Sequence, residues 1–297
     1  MSGMQARLAQ DAVLPRKAHR QNVILRFGRR YPLGAFGAVV LLVFGVAAVF
    51  ADQLAPHDPI ANNFAVMLRP PSPQYPLGTD NFGRDVLSRI IYGSRTALLV
   101  AFTSSFVGAT LGALLGVISA HFGGWVDDAI QRITDIILAF PLIILALAMV
   151  AALGTGTLNV IIAITIPMIP RVSRVIRASA LALREMPFVE AARALGASDA
   201  RIILFHLLPN VVAPYLVMLT AFLGQAVLLE ASLSFLGLGV AEPTPAWGLM
   251  LRGAATQFAE RAPWLALAPG LAISLAVFAF NLLGDALRDA LDPRLRV

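Results

Sequence analysis

Few side chains in these 297 residues could make or break covalent bonds. Cysteine is absent, which removes thiolate nucleophiles, disulfides and thiolate metal sites. The four histidines, His19, His57, His121 and His206, stand in connections or tails, and no two are spaced i, i+4. The paired-imidazole helix of a zinc hydrolase is therefore missing, as is a Gly-x-Ser-x-Gly nucleophile turn. The only lysine, Lys17, follows Arg16, whereas a phosphate-cradling loop needs Gly-Lys so that the ammonium reaches the phosphates. No catalysis, resident cofactor or metal is expected of this chain. Its energy must come from a separate subunit or an ion gradient.

The polar groups worth weighing lie inside apolar stretches. Gln225, Glu230, Ser232 and Ser234 interrupt the run from Val211 to Leu236. Gln225 and Ser232 are seven apart and share a helix face, and Glu230 and Ser234 form an i, i+4 pair. Polar side chains in lipid turn toward protein or water, so these residues line a path or hold helices together by hydrogen bonds. For Glu230 a structural or gating role is expected over direct substrate contact. Asn281 stands one turn from Asp285 in a later apolar run. A secondary carrier places ionisable groups near the bilayer midplane. Here Glu230, Asp135 and Asp285 all fall toward the ends of their segments, which disfavours that class.

The elements that position these residues follow from composition. The chain is 58% hydrophobic and 13% charged, with mean hydropathy +0.77. Soluble domains carry roughly twice that charge, so lipid is the main solvent. Six segments can cross about 30 Å of hydrocarbon: Leu33–Ala51, Thr96–Ala120, Ile133–Leu153 (interrupted by Pro141), Leu158–Ile176 (holding Pro167 and Pro170), Val211–Leu236 and Leu265–Leu283. Leu33–Ala51 is expected to be a retained anchor, since it is longer than a signal-peptide core and follows a long tail. Of the 23 basic residues, seventeen fall before Leu33, beside Arg132, between 171 and 210, or after 283; six fall in the other connections. That asymmetry puts both termini in the cytoplasm. The high pI follows this topology, and no nucleic-acid module is expected. Trp247 and Trp264 suit interface anchoring. Gly112 and Gly116 permit close packing in the second span. Pro76–Arg95, with Gly78, Asp80, Gly83, Arg84 and Asp85, either meets a soluble partner or folds under the neighbouring loops.

One connection does not look like a loop. From Arg171 to Asn210 it runs about forty residues, well beyond ordinary loops. Val189–Leu195 reads as a short helix ended by Gly196. Ser198 caps a second, with Asp199 in its first turn, running through Arg201, Ile202, Leu204 and Phe205 to Pro209. Ala191, Ala192 and Ala194 leave a thin face suited to another protein's groove.

Glu190-Ala191-Ala192, three residues, Gly196, nine residues, then His206-Leu207-Leu208-Pro209 resembles the EAA loop of ABC-importer permeases. The family pattern has an aliphatic residue where His206 stands. His there, followed by Leu-Leu-Pro-Asn, is similar to the peptide/nickel branch, the dipeptide and oligopeptide permeases of the "C" type. Pro76–Arg95, Gly123–Pro141, Glu230–Gly239, Pro243–Gly248 and Asn281–Arg296 resemble that branch's other blocks. The resemblance implies an all-α integral membrane protein of six transmembrane helices with the type I ABC-importer (MetI-like) permease fold. It implies a cytoplasmic tail (1–32), a first transmembrane helix (33–51), an extracytoplasmic segment (52–95), a five-helix permease core (96–286) and a C-terminal tail (287–297). The EAA coupling loop is 187–210. Glu190, Ala191, Ala192, Arg193, Leu195, Gly196, Ala197, Ser198 and Arg201 are its implied ATPase-coupling residues. The implied partners are a homologous second permease in a heterodimer, two cytosolic ATP-binding subunits that hold ATP and Mg, an extracytoplasmic solute-binding protein and the bilayer. The fifth span would line the pathway, as in the family. The implied cargo is di- or oligopeptides, with nickel chelates, glutathione or another small solute as alternatives, and the implied location is a bacterial plasma membrane.

Overall fold

A computed structural model describes residues 28–258 and 260–291. The tails at 1–27 and 292–297 lie outside the described residues. Among those described, every regular element is helical, and one isolated bridge pairs Thr79 with Asp85. In chain order the helices are α1 (Pro32–Val49), α2 (Ala51–Leu54), α3 (Val86–Phe122), α4 (Gly124–Leu138), α5 (Leu142–Leu153), α6 (Thr157–Arg184), α7 (Pro187–Ala194), α8 (Asp199–Ile202), α9 (Val212–Phe235), α10 (Trp247–Gln257) and α11 (Trp264–Leu291).

Five helical runs are long and apolar enough to span a membrane: α1, α3, α6, the run from Asp199 to the end of α9, and α11. The expected third span is not straight. α4 and α5 meet at an angle of 88°, so a sixth crossing exists only if this bent pair is counted as one. Pro141 explains the break. It has no N–H to donate and clashes with a preceding helical carbonyl, so it sits as N-cap of α5 with extended ψ. Inside α6, Pro167 and Pro170 are tolerated and buried.

α3 is the axis of the bundle. It starts ten residues before the expected Thr96, because Asp85 caps it by accepting a hydrogen bond from Ser88 N at 3.0 Å. Its contact with α6 is the most extensive between helices among the described residues. A Cβ on Gly112 would lie 2.7 Å from the Ile169 carbonyl oxygen, and one on Gly116 would lie 2.6 Å from that of Ser173. The two glycines are therefore the seat of α6. α9 packs on α11 and α3, and α1 lies on the flank of α11. There a Cβ at Gly37 would come 2.6 Å from the Ala279 carbonyl oxygen.

The two ends of the bundle differ. At one end meet the start of α3, the end of α9 and the start of α11. The segment 55–85 folds there into a polar knot. Asp80 accepts from Phe82 N (2.8 Å), Arg84 N (2.9 Å) and Arg84 Nε (2.6 Å). Of the two readings for Pro76–Arg95, this is the second: Asp80, Arg84 and Asp85 are buried within the chain. Beside it Arg95 and Tyr92, both hydrogen-bonded to Asp52, hold that carboxyl below the ordinary carboxylate range. Trp247 corrects the anchoring expectation, whereas Trp264 is half-buried. Trp247 is buried and donates to the Ile90 carbonyl at 3.0 Å, and Trp264 donates to that of Thr79 at 3.3 Å. Their N–H groups are used inside the protein. At the other end lie the end of α3, the 187–210 cassette, and both the first and last described residues.

Candidate coupling site and pathway residues

The cassette is a bent pair of helices fastened from beneath. α7 opens with Pro187 in its first turn, where the missing N–H costs nothing. It closes on a Schellman motif: Ala197 N donates to the Ala192 carbonyl at 3.0 Å and Gly196 N to that of Arg193 at 2.9 Å. Gly196 has φ +78°, the left-handed conformation that this motif needs. The chain then enters α8 with Ser198 as N-cap, accepting from Arg201 N at 3.4 Å. Val189, Ile202 and Leu207 are buried and join the main core. Glu190, Ala191, Arg193, Gly196, Ser198 and Arg201 face outward, Ala192 and Ala197 are half-buried, and Leu195 is 88% exposed. This leaves an apolar tip bare between one carboxylate and two guanidinium groups.

The return toward the bilayer differs from the expected break at Pro209. The helix continues through a π-turn, Ile203–Leu207, and a 3₁₀ turn, Leu208–Val211, into α9. Leu208 N donates to Ile203 O, widening the turn so that a proline fits without a carbonyl clash. Asn210 Nδ2 donates to the His206 carbonyl at 2.7 Å, supplying a donor beside the proline.

One contact that the sequence did not flag ties this cassette to the bundle, and others lace the helix ends beneath it. His121, at the end of α3, meets Asp199 at 2.8 Å between Nε2 and Oδ1. Arg184, at the end of α6, donates to the Ala120 carbonyl at 2.9 Å, a cation on a helix C-terminus. Nearby, Arg177 of α6 pairs with Asp127 of α4, whose carboxylate also receives Ser119 of α3, while Gln131 donates to Ser119 at 3.0 Å. Arg174 pairs with Asp135. Contacts such as His121 with Asp199, 78 residues apart, leave no local signal in a single sequence.

The pathway candidates divide. Glu230 is 1% exposed and accepts from Ser234 Oγ at 2.7 Å; Ser234 Oγ in turn lies 3.4 Å from Val240 N. That pair fastens the turn after α9. Ser232 is half-buried and returns its hydroxyl to Leu228 O at 2.7 Å. Gln225 is half-buried on the same side, and Asn281 of α11 is exposed beside Gly224. Gln225, Ser232 and Asn281 are accessible, and Glu230 and Ser234 are not.

The comparisons with known proteins say which class this helical bundle with its surface-mounted helix pair belongs to. The family model "binding-protein-dependent transport system inner membrane component" matches residues 112–297, and "N-terminal TM domain of oligopeptide transport permease C" matches 21–71. The chain belongs to this family of ABC-importer permeases. It is 43% identical over 268 residues to the dipeptide transport system permease protein DppC of Alkalihalophilus pseudofirmus (90% of this chain, 88% of that one). To the glutathione transport system permease protein GsiD of Escherichia coli it is 44% identical over 271 residues, with the same coverage. A putative peptide transport system permease protein of Brucella suis is 44% identical over 261 residues (88% of each chain). Among solved structures, the inward-facing MetNI methionine ABC transporter matches at TM-score 0.56 and 21% identity, covering 69% of this chain and 96% of that one. That likeness speaks for the fold.

Proposed function

We propose that this chain is one of two non-identical permease subunits of an ATP-driven importer for di- or oligopeptides or a related small solute. Two cytosolic ATP-binding subunits dock on the 187–210 cassette and carry the ATP and Mg, and this chain has no hydrolytic site of its own. An extracytoplasmic binding protein delivers the solute at the opposite end. Both described chain ends share the cassette's end, and most arginines cluster there, so that end is cytoplasmic in a bacterial plasma membrane. Alternating access moves the solute without chemical change, with Gln225, Ser232 and Asn281 nearest the path and Glu230 and Ser234 setting the gate's geometry.

The single observation behind this reading is the exposed tip of the cassette, Glu190 to Arg201, braced onto the end of α3 by His121. Force applied there reaches the bundle directly. The names of the relatives favour a peptide cargo, and the glutathione relative supports a second cargo of the same chemical type, a small peptide with free carboxylates. The test is gentle purification from native membranes followed by uptake. Recovery of an ATPase, a second permease and a binding protein, with ATP-dependent peptide uptake, is expected. A chain recovered alone and driving gradient-dependent uptake refutes the reading.

A further inference from the structure

At the end opposite the cassette, between the start of α3, the polar knot, α10 and the start of α11, lies a cavity of about 390 Å³. That is the size of a small-ligand site. Leu249 and Leu265 are among its apolar lining, and three arginines line it as well: Arg84, Arg89 and Arg252. Two carboxylates share it with these arginines, Asp80 and Glu242.

The distribution of partners matters more than the sum. Asp80 is committed: it receives Arg84 Nε at 2.6 Å and two backbone N–H groups. Glu242 is exposed at the rim. Arg89 is the anomaly. It is 2% exposed, its Nη1 donates to the Pro59 carbonyl at 2.8 Å, and its closest carboxylate contact is Asp80 at 3.9 Å from Nε. Buried cations are held by close anions, because removing a guanidinium from water is costly without one. Here the carboxylate within reach is already spent on Arg84. A guanidinium in a cavity wall with no close anion of its own is a group that takes a carboxylate.

We propose that this cavity is a carboxylate-binding site, in which the free carboxylate of a small solute sits against Arg89. The identity of the solute as a peptide rests on the transport reading above; the existence of the site does not. The site would act as a first station, orienting an incoming solute by its carboxylate before the path through the bundle.

The test uses the full chain in nanodiscs of phosphatidylcholine alone, with calorimetric binding of acetate, of alanyl-alanine and of alanyl-alanine amide. The acid is expected to bind at least about tenfold tighter than the amide, because a charge-assisted hydrogen bond is lost. Arg89→Gln should weaken acetate binding by about tenfold and Arg89→Lys by less. Arg89 also holds Pro59, so a second variant guards against misfolding: exposed Glu242→Gln removes a rim anion and should tighten acetate binding about two- to fivefold. Equal affinity for acid and amide overturns the proposal, as does acetate binding indifferent to both Arg89→Lys and Glu242→Gln. Arg89-dependent occupancy seen only when phosphatidylglycerol is added assigns the site to lipid and also overturns it. The transport reading fails separately: acetate binding with no peptide uptake by the assembled importer refutes the cargo and leaves the site standing, whereas normal uptake KM in Arg89→Gln with no carboxylate binding refutes the site and leaves the cargo.

Discussion

Gly196 allows backbone conformation and side-chain bulk to be separated. Its φ of +78° is left-handed, yet a Cβ built there meets no atom within 4 Å. In the isolated chain a substitution is therefore penalised by backbone conformation alone. For an L-residue that penalty is roughly 1–2 kcal/mol, smaller for Asn, which visits the left-handed region more readily. A penalty of about 1 kcal/mol shifts the bent population about fivefold, and about 2 kcal/mol shifts it about thirtyfold. Transport by the assembled importer should fall in the order Gly, Asn, Ala, Val, with Pro lowest because its φ cannot be positive. The Schellman hydrogen bonds at Ala192 and Arg193 buffer part of this, so Gly196→Ala is expected to lose several-fold and not all activity. The assay is ATP-dependent uptake normalised to membrane-inserted protein, with ATPase rate measured in parallel. Uptake lost in Ala and Asn alike, with insertion intact, would mean that the partner's groove forbids any side chain. Normal uptake in Gly196→Pro would refute the coupling role of the bend.

Other outcomes follow from the same geometry. Gly112→Leu should overpack the α3–α6 seat, costing about 1–3 kcal/mol or more, read as a lower thermal midpoint and loss of inserted protein; Gly270→Ala, with no atom near its Cβ, is the neutral control. Glu230→Gln keeps an acceptor for Ser234 and should retain stability, whereas Glu230→Ala leaves a hydroxyl short of its partner and should cost about 1–3 kcal/mol. A double-mutant cycle of Asp127→Ala and Arg177→Ala should return a coupling energy of about 0.5–3 kcal/mol, and additivity would show the pair to be idle. His121→Ala should reduce uptake per ATP hydrolysed with little loss of inserted protein, and an unchanged ratio would remove the strut from the coupling route.

Much of the architecture could be read from residue order because hydropathy and proline report local events. The long apolar runs, the Pro141 break and the Gly196–Ser198 cap pair are all of this kind. What could not be read was settled by distant partners. Arg89 and Arg95 make residues 86–95 look like a polar loop, yet Pro59 and Asp52 receive them and the helix runs on. Pro209 signals a stop, but a π-turn absorbs it. Gln225 and Ser232 share a face as spacing predicts, whereas the exposure difference between them and Glu230 depends on the turn after α9 closing over one side. The strut from His121 to Asp199 has no sequence signal at all.

The length of α3 carries a mechanical consequence. Its 37 residues make a rod about 55 Å long, with no proline along it. One tip holds His121 at the cassette, and the other holds Arg89 at the arginine-lined cavity. Such a rod behaves as a lever. A tilt of about 5° around its middle swings each tip by about 2.4 Å in opposite directions, from the rise per residue alone. A displacement of that size is enough to make or break a hydrogen bond, so if the cassette is pushed as proposed, the cavity at the far tip would feel it through the rod itself.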